Sequence, residues 1–569
     1  MSSDIVPGLT VVRTYKLRWF PKDLVAGLIL TTLLVPQGMA YASLAGLPPI
    51  TGLYTSILCL ATYAVFGPSK ILVLGPDSSL GPMIAATILP LVGANGDPGR
   101  AVALASALAL LTGGLTVLAG VGGLGFVADL ISRPTMIGYL NGLALTIVVG
   151  QLPKLFGFSV EAEDFLGEVA AVVVGVLDRR TVPAALLVGG LGLIVIIALR
   201  RWAPRTPGVL IVVVLSIIAA SVFDLAERGV SLVGVLPDGF PPLTLPVIGL
   251  SDIAPLLVGA AGIVVVSLAD TIATASAFAA RAGTVVNGSR EMIGIGTANI
   301  AAGLFQGFPV STSGSRTAVA EQAGAKTQVT GLVGAVAITL ILLLAPGMFR
   351  NLPQPTLAAV VIAAAMSLAD VRGTVRLLHD RPTEFGLSMA AFAGVVGLGV
   401  LPGIGVAVAL SVGNVFRRTW WPYQTVLGRV PGIPGYHDVR SYPTAEQLPG
   451  CQIFRFDAPV IFANARTFRE QIQELARSDP PPKWIIIAAE PITDVDTTAG
   501  AMLEDLDVAL NETGISLVFA ELKDPVRNKV NRYELTRVID PAHFFPTLDA
   551  AVTAFQQETG TRWSRIEHG

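Results

Sequence analysis

Gly75-Pro76-Asp77-Ser78-Ser79-Leu80-Gly81-Pro82 and Phe308-Pro309-Val310-Ser311-Thr312-Ser313-Gly314-Ser315-Arg316-Thr317 interrupt two apolar runs of this chain. Each places helix breakers, hydroxyls and one charge where a spanning backbone has no water to bind. An extended stretch, Ile71-Leu72-Val73-Leu74, precedes the first break and an apolar helical run follows it. Gly-Pro stops the chain there, and Asp77 or Ser78 is expected to cap a new helix. The second break also leads into a helix start. A single break can be an ordinary kink. Two, one in each half of the apolar region, mark an inverted-repeat transporter with its site between half-helices.

The breaks sit in a chain built for lipid. Of 569 residues, 52% are apolar and only 14% charged. Soluble domains carry about 25% charged residues. Apolar runs near the length that spans a bilayer recur up to about residue 420. Fourteen spans are read between residues 23 and 416, with the third (77–94) and tenth (312–323) interrupted. With the N-terminus inside, the inner segments hold seventeen Lys and Arg, Arg133, Arg205 and Arg417 among them. The outer segments hold six: Arg100, Lys154, Arg179, Arg180, Arg228 and Arg350. That bias sets the orientation and places both termini in the cytoplasm. A multi-pass protein of the inner (plasma) membrane is expected, with no cleavable signal before the first run.

Other classes fall away. The net charge of -2 gives no reason to expect nucleic acid. Cys59 and Cys451 lie in different kinds of segment, so neither a disulfide nor a Cys-based metal site is expected. His379, His437, His543 and His568 lie outside the apolar runs, which excludes a membrane-embedded histidine relay. No nucleophile–base set is visible, so an enzyme is not expected.

A charge inside a span costs about 2.5–3.5 kcal/mol on insertion scales, so each is a functional candidate. Three stand out: Asp77, Asp270 and Arg316. Half-helix N-termini present unpaired N–H groups and a partial positive charge. Ser313 and Ser315 add hydroxyls, and Arg316 adds a full charge. Together they can replace the hydration shell of a small inorganic anion. Arg316 can equally pair with Asp77, and the two roles are compatible. Asp270 and Thr274 are four apart and share a helix face. They can hold Na⁺, the carboxylate can carry H⁺, or Asp270 can simply bond a neighbouring helix. No cofactor beyond such a coupling ion is implied.

Several motifs give the chain a resemblance to the SulP family of sulfate permeases and anion exchangers. Val35-Pro36-Gln37-Gly38-Met39-Ala40-Tyr41 resembles the family's first-span motif. Pro49-Ile50-Thr51-Gly52-Leu53-Tyr54-Thr55-Ser56 and Phe66-Gly67-Pro68-Ser69-Lys70 resemble its signature, and Lys326-Thr327-Gln328 continues the second break as the family does. The resemblance implies fourteen segments in two inverted repeats of seven, a core and a gate domain, and elevator-type transport. It places the anion between Asp77, Ser78 and Ser79 on one side and Ser313, Gly314, Ser315 and Arg316 on the other. Gln37 and Tyr41 line that site by the same resemblance, and Asp270 matches a position linked to cation coupling. Asp77 departs from the family, where an apolar or aromatic residue is common. A carboxylate beside an anion site suggests H⁺ or Na⁺ coupling or a fixed pair with Arg316. Sulfate is the leading substrate, with sodium-dependent bicarbonate or dicarboxylate transport as alternatives. A nucleobase permease, an anion channel and a membrane sensor are weaker readings.

The organisation is read as an N-terminal segment (1–22), a transmembrane domain (23–420), a linker (421–435), a soluble α/β domain (436–560) and a tail (561–569). Strands and helices alternate after 436, which implies a sheet covered by helices. That domain resembles a STAS domain. Its loop Asp496-Thr497-Thr498 matches where some isolated STAS proteins are phosphorylated, so Thr497 or Thr498 is a candidate, beside the plainer reading as a helix cap. A homodimer or a cytoplasmic partner at this domain is expected.

Overall fold

The computed structural model describes residues 7–93, 96–123, 132–160, 165–203, 206–235, 237, 239–281 and 285–563. Arg205, His568 and the outer ends of the N-terminal segment and the tail lie outside the described residues. The chain divides into two units, Met1–Val412 and Gly413–Gly569.

The first unit is helical. Its elements are α1 (Phe20–Leu44), α2 (Pro49–Phe66), β1 (Leu74–Gly75), α3 (Gly81–Val92), α4 (Pro98–Val121), α5 (Arg133–Phe156), α6 (Phe165–Leu177), α7 (Pro183–Trp202) and α8 (Gly208–Val222). There follow α9 (Leu250–Arg281), α10 (Gly288–Leu304), β2 (Ser311–Thr312), α11 (Gly314–Gln322), α12 (Val329–Leu344), α13 (Gln354–Leu368), α14 (Val371–Asp380), α15 (Pro382–Leu398) and α16 (Val400–Trp420). Eight helical stretches among the described residues are long and apolar enough to cross a membrane. Helix stands at each of the expected spans, but α6 adds an apolar helix where the sequence reads as a connection. Its 13 residues fall short of the about 17–25 that span a bilayer, which is why it escaped a span-length criterion.

Close backbone approach explains one pair of motifs. A Cβ on Gly52 would lie 1.9 Å from the carbonyl oxygen of Gly38. These glycines let α1 and α2 touch where small residues are needed. The quoted motifs around Gln37 and Tyr54 are therefore two faces of one crossing.

The second unit carries a six-stranded sheet of order β4-β3-β5-β6-β7-β8. The strands are β3 (Gln424–Arg429), β4 (Tyr436–Asp438), β5 (Cys451–Phe456), β6 (Trp484–Ala488), β7 (Ser516–Ala520) and β8 (Phe544–Phe545). β5 to β8 pair in parallel, and β3 runs antiparallel to both neighbours. Alternation along β6 sends Ile485 and Ile487 to one core and Trp484 and Ile486 to the other. Helices α17 (Ala465–Ala476), α18 (Thr497–Glu512), α19 (Asp524–Arg532) and α20 (Leu548–Thr559) complete it. β3 lies inside the stretch read as a linker, so the sheet begins before residue 436. Its alternating burial is the signal, shortened to six residues by the flanking Pro422 and Pro431.

Candidate functional site

The two breaks meet. Leu74 pairs with Thr312 and Gly75 with Ser311 in a two-stranded antiparallel ladder. The ladder is extended by Ser313 N–H donating to the Val73 carbonyl at 3.0 Å. Val73 N–H donates to Thr317 Oγ1 at 3.1 Å. Asn299 closes the far side, accepting from Val310 N–H at 2.8 Å and donating to its carbonyl at 3.3 Å. Non-helical backbone at membrane depth needs such partners. Asn299 and Thr317 were not among the sequence candidates. Thr317 stands in the quoted stretch, and Asn299 is a lone amide in an apolar run.

Each break feeds a helix differently. Ser313 caps α11, its hydroxyl accepting from Arg316 N–H at 3.4 Å. The first break departs from expectation: neither Asp77 nor Ser78 caps a helix there. α3 begins at Gly81 with no side-chain cap. Asp77 instead closes a turn, accepting from Ser79 N–H at 3.0 Å and Ser79 Oγ at 2.5 Å. Pro82 sits in the first turn of α3, where its missing N–H costs nothing, so it rather than Asp77 sets the helix start.

Arg316 is 1% exposed and enters between the breaks. Nη2 donates to the Pro76 carbonyl at 2.7 Å and lies 3.9 Å from Asp77 Oδ1. Nε and Nη1 have no partner. A Cβ on Gly75 would stand 2.8 Å from Nη1, so the glycine makes room for the guanidinium. The pair with Asp77 is thus long, and three N–H of a buried cation, one on Nε and two on Nη1, have no partner among the described residues. Leaving them unmade costs about 1–3 kcal/mol each, more for a charged group.

Around this group the sequence candidates gather. Gly314 and Ser315 are exposed, while Ser78, Ser79 and Ser313 are buried. Ser313 and Ser315 hydroxyls lie 3.2 Å apart. Tyr41 is buried, with Ser78 in hydrogen-bonding reach, and Gln37 is half-buried one turn earlier on α1. Asp270 on α9 lies with Oδ2 3.4 Å from Ser79 Oγ. Thr271 accepts from Thr312 at 3.1 Å. Thr274 faces the start of α11, 3.7 Å from where a Gly314 Cβ would sit. No hydrogen bond joins Asp270 to Thr274.

Two further carboxylates frame the site. Asp23 is fully buried and accepts from Tyr15 Oη, Lys326 N–H, Thr327 N–H, Thr327 Oγ1 and Thr330 Oγ1. It fastens the start of α1 to the turn after α11. Glu291 accepts from Tyr63 Oη at 2.6 Å and from Ser69 Oγ. Gln328 Nε2 donates to the carbonyls of Ser69 and Leu72 at 2.8 and 2.9 Å. The Pro68-Ser69-Lys70 loop is thereby held as it enters β1. Asp23 and Glu291 were not among the sequence candidates, because their partners lie far away in sequence.

In the second unit, Asp496 caps α18 by accepting from Ala499 N–H at 2.8 Å. Thr497 and Thr498 are exposed on its first turn. The Lys529 ammonium beside Asp494 holds that carboxyl below the usual carboxylate range.

Residues 20–391 match the Sulfate permease family and residues 442–551 match the STAS domain. A probable sulfate transporter of Mycobacterium tuberculosis is 40% identical over 98% of this chain and 99% of its own. Sulfate transporter 1.3 of Arabidopsis thaliana is 29% identical over 96% of this chain and 87% of its own. Among solved structures, the murine Solute Carrier 26 family member A9 anion transporter in the inward-facing state superposes with a TM-score of 0.89 at 22% identity. That match covers 97% of this chain and 94% of the other, and shows a shared fold.

Proposed function

This chain belongs to the sulfate permease family, and we propose that it is a secondary active transporter of a small inorganic anion, sulfate first, coupled to H⁺ or Na⁺. One observation carries the reading. At the meeting of two broken spans, a buried guanidinium keeps Nε and Nη1 unpartnered. Nε–H and Nη1–H point into different sectors of the guanidinium, so an oxyanion accepts from one of them with the full charge beside it. The start of α11 and the Ser315 hydroxyl supply further donors.

Coupling rests on a count of hydrogens. The Ser79 hydroxyl has one proton and lies between Asp77 and Asp270. It can satisfy only one carboxylate. One positive charge, Arg316, therefore faces two carboxylates before any anion enters. A proton or Na⁺ arriving with the anion restores the balance, with Asp270 and Thr274 as its side chains. Gly75 to Ser79 and Ser313 to Arg316 ride on helices packed against α1, so the site moves as one body in an elevator-type step. The cytoplasmic side of the membrane holds both termini, and the STAS domain serves a homodimer or a regulatory partner, with Thr497 and Thr498 open to modification.

The test is uptake by purified protein in liposomes, with labelled sulfate, bicarbonate and a dicarboxylate, each under an H⁺ gradient, a Na⁺ gradient or none. Sulfate uptake that follows one imposed gradient is expected. Sulfate flux that ignores both gradients removes coupling, and no flux of any anion removes transport.

A further inference from the structure

A cavity of about 260 Å³ lies at the far end of α1 from Asp23, between α1, α5 and α13. That is room for several waters at about 30 Å³ each. Ser43 on its wall stands six residues beyond Gln37, about 9 Å along the helix axis. The cavity lining reaches Ala40, beside Tyr41, but includes none of the residues gathered around Arg316. Its lining includes Lys154, Gln151, Ser43, Gln354, Leu357 and Pro49.

Three features give it one chemical character. Lys154 Nζ donates to the Ser43 carbonyl at 3.1 Å, which leaves two of its three hydrogens. Among the described residues no carboxylate lines the cavity, and Glu168 lies beside Gly150. Gln151 is only 4% exposed, and its amide has no hydrogen-bond partner among the described residues. Gln151 lines the cavity, so its amide can meet a group held there. Finally, two helices start at the wall: α2 at Pro49 and α13 at Gln354, of 18 and 15 residues. Their positive ends are set against the negative C-terminal ends of α1 and α5, so the ammonium decides the sign.

We propose that this cavity is a second oxyanion site, held by Lys154 and Gln151, that receives the anion before it reaches Arg316. It rests on the transport reading above. Lys154 and Gln151 share one face of α5 near its C-terminal end. Ser43 and Pro49 belong to α1 and the start of α2. The site thus forms between two helical groups, and an anion there bridges them while the central site is turned away. The orientation read from Lys and Arg places it on the outer side.

Equilibrium binding of labelled sulfate to the purified full chain tests this. Arg316→Ala is expected to retain one weaker saturable component, and Lys154→Gln on that background to abolish it. Lys154→Gln alone is expected to raise the uptake KM from the outer side about tenfold, the worth of one charge-assisted hydrogen bond. Its kcat stays within twofold, and Lys154→Arg restores KM. Gln151→Leu keeps the packing and the lysine, and serves if Lys154→Gln does not fold; the same loss of the weaker component is expected. Residual binding in Arg316→Ala that ignores both Lys154→Gln and Gln151→Leu overturns the proposal. So does a fall in kcat with KM unchanged, which assigns Lys154 to holding α5 against α1. If Arg316→Ala instead binds as wild type does, the central-site reading fails, while the cavity is judged by its own variants.

Discussion

Replacing Asp77 with asparagine separates repulsion from pairing at the centre of the site. An oxyanion on an unpartnered Arg316 N–H would stand roughly 6 Å from the Asp77 carboxylate, given a guanidinium within 3.9 Å of it. At an effective dielectric between about 20 and 80, each unit of anion charge is then opposed by roughly 1–3 kcal/mol. Asp77→Asn keeps an oxygen to accept from Ser79 N–H and removes that charge. For the sulfate dianion the opposition doubles, so KM is expected to fall at least about tenfold. Uptake should also lose much of its dependence on the imposed H⁺ or Na⁺ gradient, since one of the two carboxylates awaiting a cation is gone. The assay is initial uptake of labelled sulfate into liposomes across a concentration series, with and without each gradient. Thermal unfolding of the same preparation is the control. Were Asp77 a structural partner of Arg316, breaking a buried pair would cost about 3–5 kcal/mol. A large drop in Tm with KM unchanged or raised would refute the repulsion argument.

Three further outcomes follow from the geometry. Asp23→Ala leaves at least four buried or half-buried donors unmatched, so roughly 3–5 kcal/mol is lost, read as a lower Tm in detergent. In the STAS domain, burial pushes the Cys451 thiol up to about 12, so iodoacetamide at pH 8 should leave it unmodified until the domain unfolds. Asp507 is raised by burial, with one oxygen accepting from Asn511 and the other unpartnered. Its folded form binds the proton more tightly than the unfolded form, so its burial cost is present above the folded pKa and fades as pH falls towards the unfolded value. Asp507→Asn should therefore raise urea-unfolding stability at pH 7 by about 1 kcal/mol and flatten its rise on acidification.

How far the sequence reaches depends on where a residue's partners lie. The two breaks are legible because Gly-Pro and a serine run stand out within apolar spans, and Arg316 is a charge in lipid. Their pairing as β1 and β2 is a contact between halves of the chain, and only the inverted-repeat argument brings them together. Asp77 was misplaced as a cap because the sequence offers two helix-start signals, and Pro82 wins. Asp23 and Glu291 gave no signal in the sequence, since what they hold is hundreds of residues away. Lys154 counted as one more outer cation; its cavity depends on α1 and α13 crossing near it. In the second unit, Trp484 to Ala488 is a fully buried run readable at once, whereas β3 is only partly buried, prolines flank it, and it pairs with β5 across a long excursion.

The central claim is that Arg316 holds the anion. The direct measurement is equilibrium binding of labelled sulfate to wild-type protein and to Arg316→Ala and Arg316→Lys at one ionic strength. One charge-assisted hydrogen bond at about 1.5–3 kcal/mol puts the loss of the tight component in Arg316→Ala at roughly 10- to 100-fold. Arg316→Lys keeps the charge but not the guanidinium geometry, and should fall between. Sulfate binding by Arg316→Ala within about threefold of wild type would contradict the account, because the unpartnered guanidinium would then serve something other than the anion.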